Sequence, residues 1–145
     1  MAASVQWSSQ ALEILRSRGF RTGGARTAVI ELLGQEDCCL TAKEISDRLA
    51  KTDQSVGMAS VYRALELLDR LKLVSRVDTG EGMARYERVL SSGEHHHHLI
   101  CEQCGQVEAF EDAPLEAAIA TVADKVDFNV NKHEIVLRGR CQSCS

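Results

Sequence analysis

The chain has 145 residues, of which 44% are apolar and 26% charged, a composition typical of one globular domain or two small ones. No apolar run approaches the roughly 20 residues that a membrane span needs, and the N-terminus lacks the basic start and apolar core of a secretory signal. We therefore expect a cytoplasmic protein with no membrane partner. In that reducing compartment the six cysteines favour metal binding over disulfides, because four of them have C-x-x-C spacing.

The net charge of −4 argues against a nucleic-acid partner, but the distribution of charge reverses that conclusion. Residues 1–90 hold 13 Lys and Arg against 12 Asp and Glu, a balance of +1. Residues 91–145 hold 4 against 9, a balance of −5. The asymmetry predicts a first domain, residues 1–90, that faces a polyanion, and an acidic second domain, residues 91–145, that binds cations.

The first domain shows helical periodicity in four successive segments. The first predicted helix carries Ala11, Leu12 and Leu15 and is closed by Gly19; the second spans Ala25 to Leu33 and is ended by Gly34. Thr41-Ala-Lys-Glu44 fits a capping box, which predicts the start of a third helix that buries Ile45 and Leu49. The fourth runs from about Met58 to Leu71, with an apolar stripe of Val61, Leu65, Leu68 and Leu71.

The periodicity then changes to that of β-strands. Segments 74–77 and 84–89 alternate in polarity and flank a glycine-rich turn, which predicts a hairpin. Helices followed by a hairpin are the order of a winged helix-turn-helix domain. Leu90–Glu94 is the predicted linker to the second domain.

The second domain is predicted to combine strands with one helix, which makes the chain α+β. Strands are predicted at 95–101, 106–110, 128–130 and 133–140. Pro114, the one proline, suits the first turn of a helix that runs to about Val126. A small α/β domain therefore follows the winged helix.

Two C-x-x-C pairs carry the strongest chemical signal: Cys101 with Cys104, and Cys141 with Cys144. Four thiolates around Zn²⁺ leave no open coordination position, so such a site is structural. It would also join the two ends of a domain that is too small to build a large core. C-x-x-C occurs in redox dithiols as well, but a second matched pair favours structural zinc.

Four consecutive histidines, residues 95–98, precede the first C-x-x-C pair. Side chains alternate between the faces of a strand, so His96 and His98 share one face and His95 and His97 the other. His133 and Glu116 of the same domain can complete a site with His95 and His97. Glu87 and Cys39 can complete one with His96 and His98, although a lone Glu is usually a solvated charge and a lone Cys a small buried hydrophobe.

Four motifs together are characteristic: the segment from Thr41 to Val77 with its core Ala59-Ser60-Val61-Tyr62-Arg63-Ala64-Leu65, the pair Tyr86-Glu87, HHHHLICEQCG, and the closing CQSC. With them the chain resembles the ferric uptake regulator family over nearly its whole length. The resemblance implies a homodimeric, metal-dependent repressor, with a winged helix that reads operator DNA and a C-terminal α/β domain that dimerises. It implies a structural zinc site at the four paired cysteines. It also matches Glu87, His96 and His98 to a regulatory site at the hinge between domains, and His95, His97, Glu116 and His133 to a site in the dimerisation domain.

Two departures from the family pattern bear on the metal. The loop before the third helix usually offers a histidine to the hinge site, and Cys38-Cys39 stands there in this chain. Iron-sensing relatives often have His-His-Asp-His where this chain has four histidines. Because sulfur and nitrogen ligands favour zinc over iron or manganese, the resemblance is best to the zinc uptake regulator branch, with Cys39 as the proposed hinge ligand. Iron, manganese, nickel or peroxide sensing stays open.

The fourth helix is the predicted recognition helix of the winged domain. Ser60, Tyr62 and Arg63 lie on its polar side near the N-terminal end, where helix-turn-helix proteins contact base edges. Arg63 can pair with guanine and Tyr62 can pack on thymine methyl groups. Arg21, Arg26 and Arg76 are predicted to contact phosphates, which adds affinity without reading sequence.

Two other classes of function are weaker. A zinc hydrolase needs an open coordination position and a general base, but no HExxH motif, deaminase motif or phosphate-binding glycine loop is present, and we expect no small-molecule substrate. A zinc-storage protein would differ from a repressor by having no sequence-specific DNA binding.

Overall fold

Two units, Met1–Glu94 and His95–Ser145, divide the computed structural model of this chain. The structure describes residues 2–36, 38–78, 80, 82–90 and 96–145, with side chains from residue 6 onward. Most of the predicted linker lies outside the described residues, so the domain boundary at residue 90 stays a prediction. Within the described ranges, no helix is both long enough and apolar enough to cross a membrane.

The first unit has the winged helix-turn-helix order. Its elements are α1 (Ala2–Ser17), α2 (Gly24–Gln35), β1 (Leu40–Thr41), α3 (Ala42–Ala50), α4 (Met58–Arg70), β2 (Val74–Asp78) and β3 (Ala84–Arg88). The strands form one sheet in the order β1-β3-β2, in which β3 pairs antiparallel with both neighbours. The two-residue strand β1 was not predicted, because two residues show no periodicity.

Local sequence explains two helix ends of this unit. Gly19 has a φ of +80°, and the amides of Gly19 and Phe20 donate to the carbonyls of Arg16 and Leu15 over 3.1 and 2.9 Å, as at a glycine C-cap. Thr41 caps α3, since its hydroxyl accepts a 3.1 Å hydrogen bond from the Glu44 amide. The predicted caps at Gly19 and Thr41 are therefore confirmed.

One predicted helix end, that of α2, is wrong by two residues, and the predicted extent of α4 is confirmed. Helix α2 continues through Gly34 to Gln35, because Gly34 is a buried packing position whose carbonyl accepts a hydrogen bond from the Arg88 guanidinium. Helix α4 ends at Arg70, and Leu71 is its C-cap. Lys72 follows in the left-handed conformation, with φ of 60°.

An apolar core fills the first unit between the helices and the sheet. Leu15, Ile30, Leu33, Ile45, Leu65 and Leu68 are its largest fully buried aliphatic side chains. Trp7 packs into the same core, and its indole Nε1 donates to the Leu73 carbonyl over 3.2 Å. This bond ties α1 to the segment that begins the hairpin.

The second unit contains β4 (His97–Cys101), β5 (Val107–Phe110), α5 (Ala113–Lys125) and β6 (Val136–Gly139). The sheet order is β5-β4-β6, with β5 antiparallel and β6 parallel to β4. Asp112 caps α5 by accepting a 3.0 Å hydrogen bond from the Leu115 amide. Among described residues 96–145 the buried ones are His97, His98, Ile100 and Cys101.

Two strands predicted in this unit differ from the structure. Residues 128–130 form no strand: Asp127 is left-handed, with φ of 51°, and the Phe128 amide donates to the Ala123 carbonyl over 3.0 Å, so these residues still close α5. The strand predicted over 133–140 is limited to Val136–Gly139, because β4 offers pairing positions only from His98 to Cys101.

Replacement of Thr41 by alanine tests the cap of α3. The Glu44 amide would lose its acceptor, so we expect Thr41→Ala to lower the free energy of unfolding of the first unit by about 1 kcal/mol. The fluorescence of Trp7, the one tryptophan of the chain, reports urea unfolding of this unit. Thr41→Ser, which keeps the hydroxyl, is the matched control; equal losses in the two variants would contradict a capping role.

Candidate metal centres and nucleic-acid interface

The four paired cysteines converge at one end of the second sheet. The parallel pairing of β6 with β4 places Gly139 opposite Cys101, and the Glu102 amide donates to the Gly139 carbonyl over 2.8 Å. The two C-x-x-C turns therefore begin side by side. The Sγ atoms of Cys101, Cys104, Cys141 and Cys144 all lie within 4.8 Å of one another.

The spacing of these thiols fits a tetrahedral zinc site. With Zn–S bonds of about 2.3 Å, two sulfurs of a tetrahedron lie about 3.8 Å apart. The Cys104 and Cys141 Sγ atoms are 3.7 Å apart. All four corners are thiols, so this group, which we call the cysteine cage, would hold the cation without an open position and therefore structurally.

Hydrogen bonds shift the pKa values of the cage thiols in ways that bear on cation binding. The pKa of the Cys101 thiol is lowered to about 6, chiefly because the Cys104 amide donates to its sulfur and a backbone group at Cys141 also contributes. The pKa of the Cys144 thiol is raised to about 12, chiefly by its hydrogen bond with Cys141. One thiolate is thus favoured while neighbouring sulfurs share protons, which a divalent cation would displace on binding.

A second group in the same unit joins β4, α5 and the segment before β6. Glu116 accepts from His97 Nε2 over 2.5 Å and from His133 Nε2 over 2.6 Å. His97 is only 1% exposed, and its Nδ1 accepts a 3.2 Å hydrogen bond from the Ile135 amide, which fixes the ring. Two imidazoles and a carboxylate within 4.8 Å of one another are a suitable set of zinc ligands. His95, predicted as the fourth member, lies outside the described residues.

His96 and His98 form the second unit's share of the predicted hinge site. Their rings lie edge to face with centroids 5.3 Å apart, whereas His97 faces Phe110 and His133. The predicted alternation of histidines between two faces is therefore present for residues 96–98. His98 is buried, at 4% exposure.

Cys39 and Glu87 form the first unit's share of that site. Continuing the antiparallel register of Leu40 with Tyr86 places Cys39 opposite Glu87. Cys39 is 3% exposed. Its pKa is raised, first by a hydrogen bond with Cys38, then by burial and by the negative charges of Cys38 and Glu87. Cys38, not chosen as a ligand from the sequence, lies with its Sγ 3.6 Å from that of Cys39.

A buried arginine links this loop to the helix-turn-helix. Arg85, 7% exposed, donates to the Cys39 carbonyl over 3.5 Å and to both carboxylate oxygens of Glu44 over 3.2 and 3.3 Å. Glu44 lies in the first turn of α3. The predicted ligand Cys39 therefore belongs to the same bonded network as the first helix of the helix-turn-helix.

The predicted DNA-contacting residues lie on the surface of the first unit. Arg63 donates to the Ser60 hydroxyl over 3.1 Å, and the Tyr62 side chain is 48% exposed, so the N-terminal half of α4 presents all three. Arg21 and Arg76 are exposed. Arg26 donates to the Arg21 carbonyl over 2.9 Å and lies 5.9 Å from the Phe20 ring centroid, so its guanidinium already has partners within the unit.

A winged helix-turn-helix unit followed by a small unit rich in cysteine and histidine defines a DNA-binding regulator that holds metal. Comparison with known proteins gives the family. A model described as the ferric uptake regulator family matches residues 17–138, and the ferric uptake regulation protein of Legionella pneumophila is 34% identical over 131 residues, covering 90% of this chain and 95% of the relative. This chain belongs to the ferric uptake regulator family, whose members are metal-responsive transcription regulators and not enzymes.

Solved structures support the same assignment. The Vibrio cholerae ferric uptake regulator, whose DNA-binding domains are described as rearranged, matches with a TM-score of 0.79 and 29% identity over 89% of this chain and 98% of that one. The Helicobacter pylori regulator, described as having three functional metal-binding sites, matches with a TM-score of 0.82 and 25% identity over 97% of this chain and 93% of that one. The fold is therefore a winged-helix DNA-binding domain followed by a dimerisation domain.

Replacement of Cys141 by serine tests the cysteine cage. Serine removes one of four sulfur ligands, so we expect the purified protein to lose about one zinc per chain. Protection of the β4 and β6 amides from hydrogen exchange should fall at the same time, because the cage joins the ends of both strands. Gln142→Ala, at an exposed position in the same turn, is the matched control and should keep both properties. A Cys141→Ser protein with full zinc content and protection would exclude the cage.

Proposed function

We propose that this chain is a zinc-responsive transcriptional repressor that binds operator DNA as a homodimer when a metal site at the hinge between its domains is filled. The domains are those predicted from the sequence, residues 1–90 and 91–145. The observation that carries the proposal is the placement of potential ligands: Cys39 lies beside Glu87 in the first unit, and His96 and His98 share one face in the second. We place this function in the cytoplasm, where thiols stay reduced.

The chemistry of the ligands supports zinc as the sensed metal. Cys39 brings sulfur to the hinge set, and His97 places an imidazole where iron-sensing relatives often have aspartate. Sulfur and imidazole suit zinc, whereas carboxylate and water suit manganese. The dimerisation-domain site would comprise His95, His97, Glu116 and His133, and the cysteine cage would carry the structural zinc.

The surface of the second unit supports a homodimer. Helix α5 has no fully buried residue. Val122, Val126 and Phe128 are 57%, 63% and 69% exposed, and together with Val130, Ile119 and Ala118 they line one apolar hollow. An apolar face of this kind usually marks a protein interface. A second copy of the chain would cover it in a family of dimeric regulators.

The proposed mechanism is a clamp at the hinge. A cation shared by Cys39, Glu87, His96 and His98 would supply a cross-link between the domains. Cys39 is bonded through Arg85 and Glu44 to α3, and the core shared with α4 includes Ile45 and Leu65. Fixing the ligands therefore fixes the recognition helix. Two such helices in a dimer would then meet successive major grooves, and the fraction of protein competent to bind DNA rises.

The double variant His96→Ala/His98→Ala tests the clamp. We expect it to lose zinc-dependent binding to an operator selected from random-sequence DNA, because the second unit would lose both of its hinge ligands. Gel shifts at several buffered zinc concentrations measure this, and Trp7 fluorescence confirms that the first unit is folded. His133→Ala, which leaves the hinge ligands intact, is the comparison. Tight, metal-independent binding by the double variant would show that the clamp is wrong.

Replacement of Arg63 by alanine tests the recognition helix. Loss of a guanine contact should cost about 1–3 kcal/mol of discrimination at one operator position and relax the sequence preference there. Arg76→Ala should instead weaken binding to all sequences alike and lower the salt dependence by about one counterion. Fluorescence anisotropy with single-base operator variants separates the two. A uniform loss for Arg63→Ala would remove it from base recognition.

A further inference from the structure

We propose that Cys38 is a second sulfur ligand of the hinge site, so that the first unit offers a Cys38–Cys39 dithiol, and not a single thiol, to a thiophilic d¹⁰ cation such as Zn²⁺. The inference deepens the proposed function and rests on it. It starts from one distance: the Sγ atoms of these adjacent residues are 3.6 Å apart. That is close to the 3.7 Å between Cys104 and Cys141 in the cysteine cage.

Backbone geometry makes this pairing possible. In an extended strand, neighbouring side chains point to opposite faces. The chain bends at Cys38, immediately before β1 begins at Leu40, and the bend brings both sulfurs to one side. A separation of 3.6 Å matches the about 3.8 Å edge of a tetrahedral zinc–thiolate site, so both sulfurs can bind one cation with little rearrangement.

The surroundings hold one sulfur and leave the other accessible. Cys39 is buried, and its carbonyl accepts from the buried Arg85. Cys38 is half-buried, so the dithiol has one fixed ligand and one that solvent can reach. Glu87 lies opposite Cys39 in the continued β1–β3 register. The first unit thus presents two sulfurs side by side, with Glu87 on the neighbouring strand opposite Cys39.

The chemical consequence is selectivity. A site with one carboxylate and imidazoles accepts iron, manganese and zinc, whereas each added thiolate shifts preference towards zinc and other thiophilic cations. Two sulfurs from the first unit, with the two imidazoles of His96 and His98, would make an S₂N₂ set in which the Cys38 sulfur replaces the Glu87 carboxylate. That set is closed and tetrahedral, as zinc prefers.

Cobalt titration of the full-length protein, with zinc already in the cysteine cage, counts the sulfur ligands. Absorption from sulfur-to-cobalt charge transfer is proportional to the number of thiolates bound. We expect Cys38→Ser and Cys39→Ser each to lose about half of this absorption and the double variant to lose all of it, since the hinge set holds two thiolates. Gln35→Ala, exposed at the end of α2, should leave it unchanged.

Zinc affinity gives a second readout. Competition with a chelator should show that Cys38→Ser weakens zinc binding at the hinge by more than about 100-fold, which is beyond the range of roughly 10–100-fold seen for groups that only orient a ligand. The preference for zinc over manganese should fall as well. A Cys38→Ser protein with undiminished cobalt absorption and zinc affinity would overturn the proposal, and would show that Cys38 is only a hydrogen-bonding neighbour of Cys39.

Alkylation of the unmodified protein removes any dependence on the folding of variants. Iodoacetamide should label Cys38 in protein whose cage alone is filled, and further zinc should protect it, as measured by peptide mass spectrometry. Labelling of Cys38 at the same rate with both sites filled would also overturn the proposal. A different result would show that the proposed function is wrong while the dithiol proposal holds. In that case the wild-type protein would bind zinc through the dithiol but would bind DNA equally well with and without zinc.

Discussion

Over described residues 96–145 the second unit buries very few apolar side chains, and this limits how far its core can stabilise it. Two of its buried residues are histidines and one is a cysteine, so ligand side chains occupy the places that leucine and isoleucine fill in the first unit. About fifty residues cannot gain enough from such a core alone. A cation bound in the cysteine cage would stabilise the unit. Burial of the exposed apolar face of α5 against a second copy of the chain would stabilise it further. Metal binding, folding and dimerisation are therefore expected to be coupled in this unit.

In the first unit, the short strand β3 connects the chemistry of the hinge to the reading of DNA. Arg85 binds Glu44 on α3 and the carbonyl of Cys39, Glu87 lies opposite Cys39, and Arg88 binds the end of α2. These contacts attach the ligand-bearing loop to two helices of the winged domain. A change at the proposed ligands can therefore reach the predicted recognition helix through bonds and packing inside one unit.

The sequence was sufficient to predict the architecture, because the architecture depends on local patterns. Helix periodicity, the cap at Thr41, the C-x-x-C spacing and the alternation of histidines 96–98 are all short-range signals, and the structure has each of them. The strand predicted at residues 128–130 is wrong for a physical reason. Its alternating apolar side chains lie on an exposed face and do not pair in a sheet. Cys38 was missed because alternation along an extended chain would turn it away from Cys39, and only the bend at Cys38 brings the sulfurs together.

Affinity for the selected operator at buffered free metal concentrations decides whether zinc is the metal that enables DNA binding. We expect zinc to raise affinity at a free concentration far below that required of iron or manganese, in protein whose cysteine cage is already filled. An affinity that responds to iron or manganese at equal or lower free concentrations than to zinc, or that responds to no metal, would contradict it.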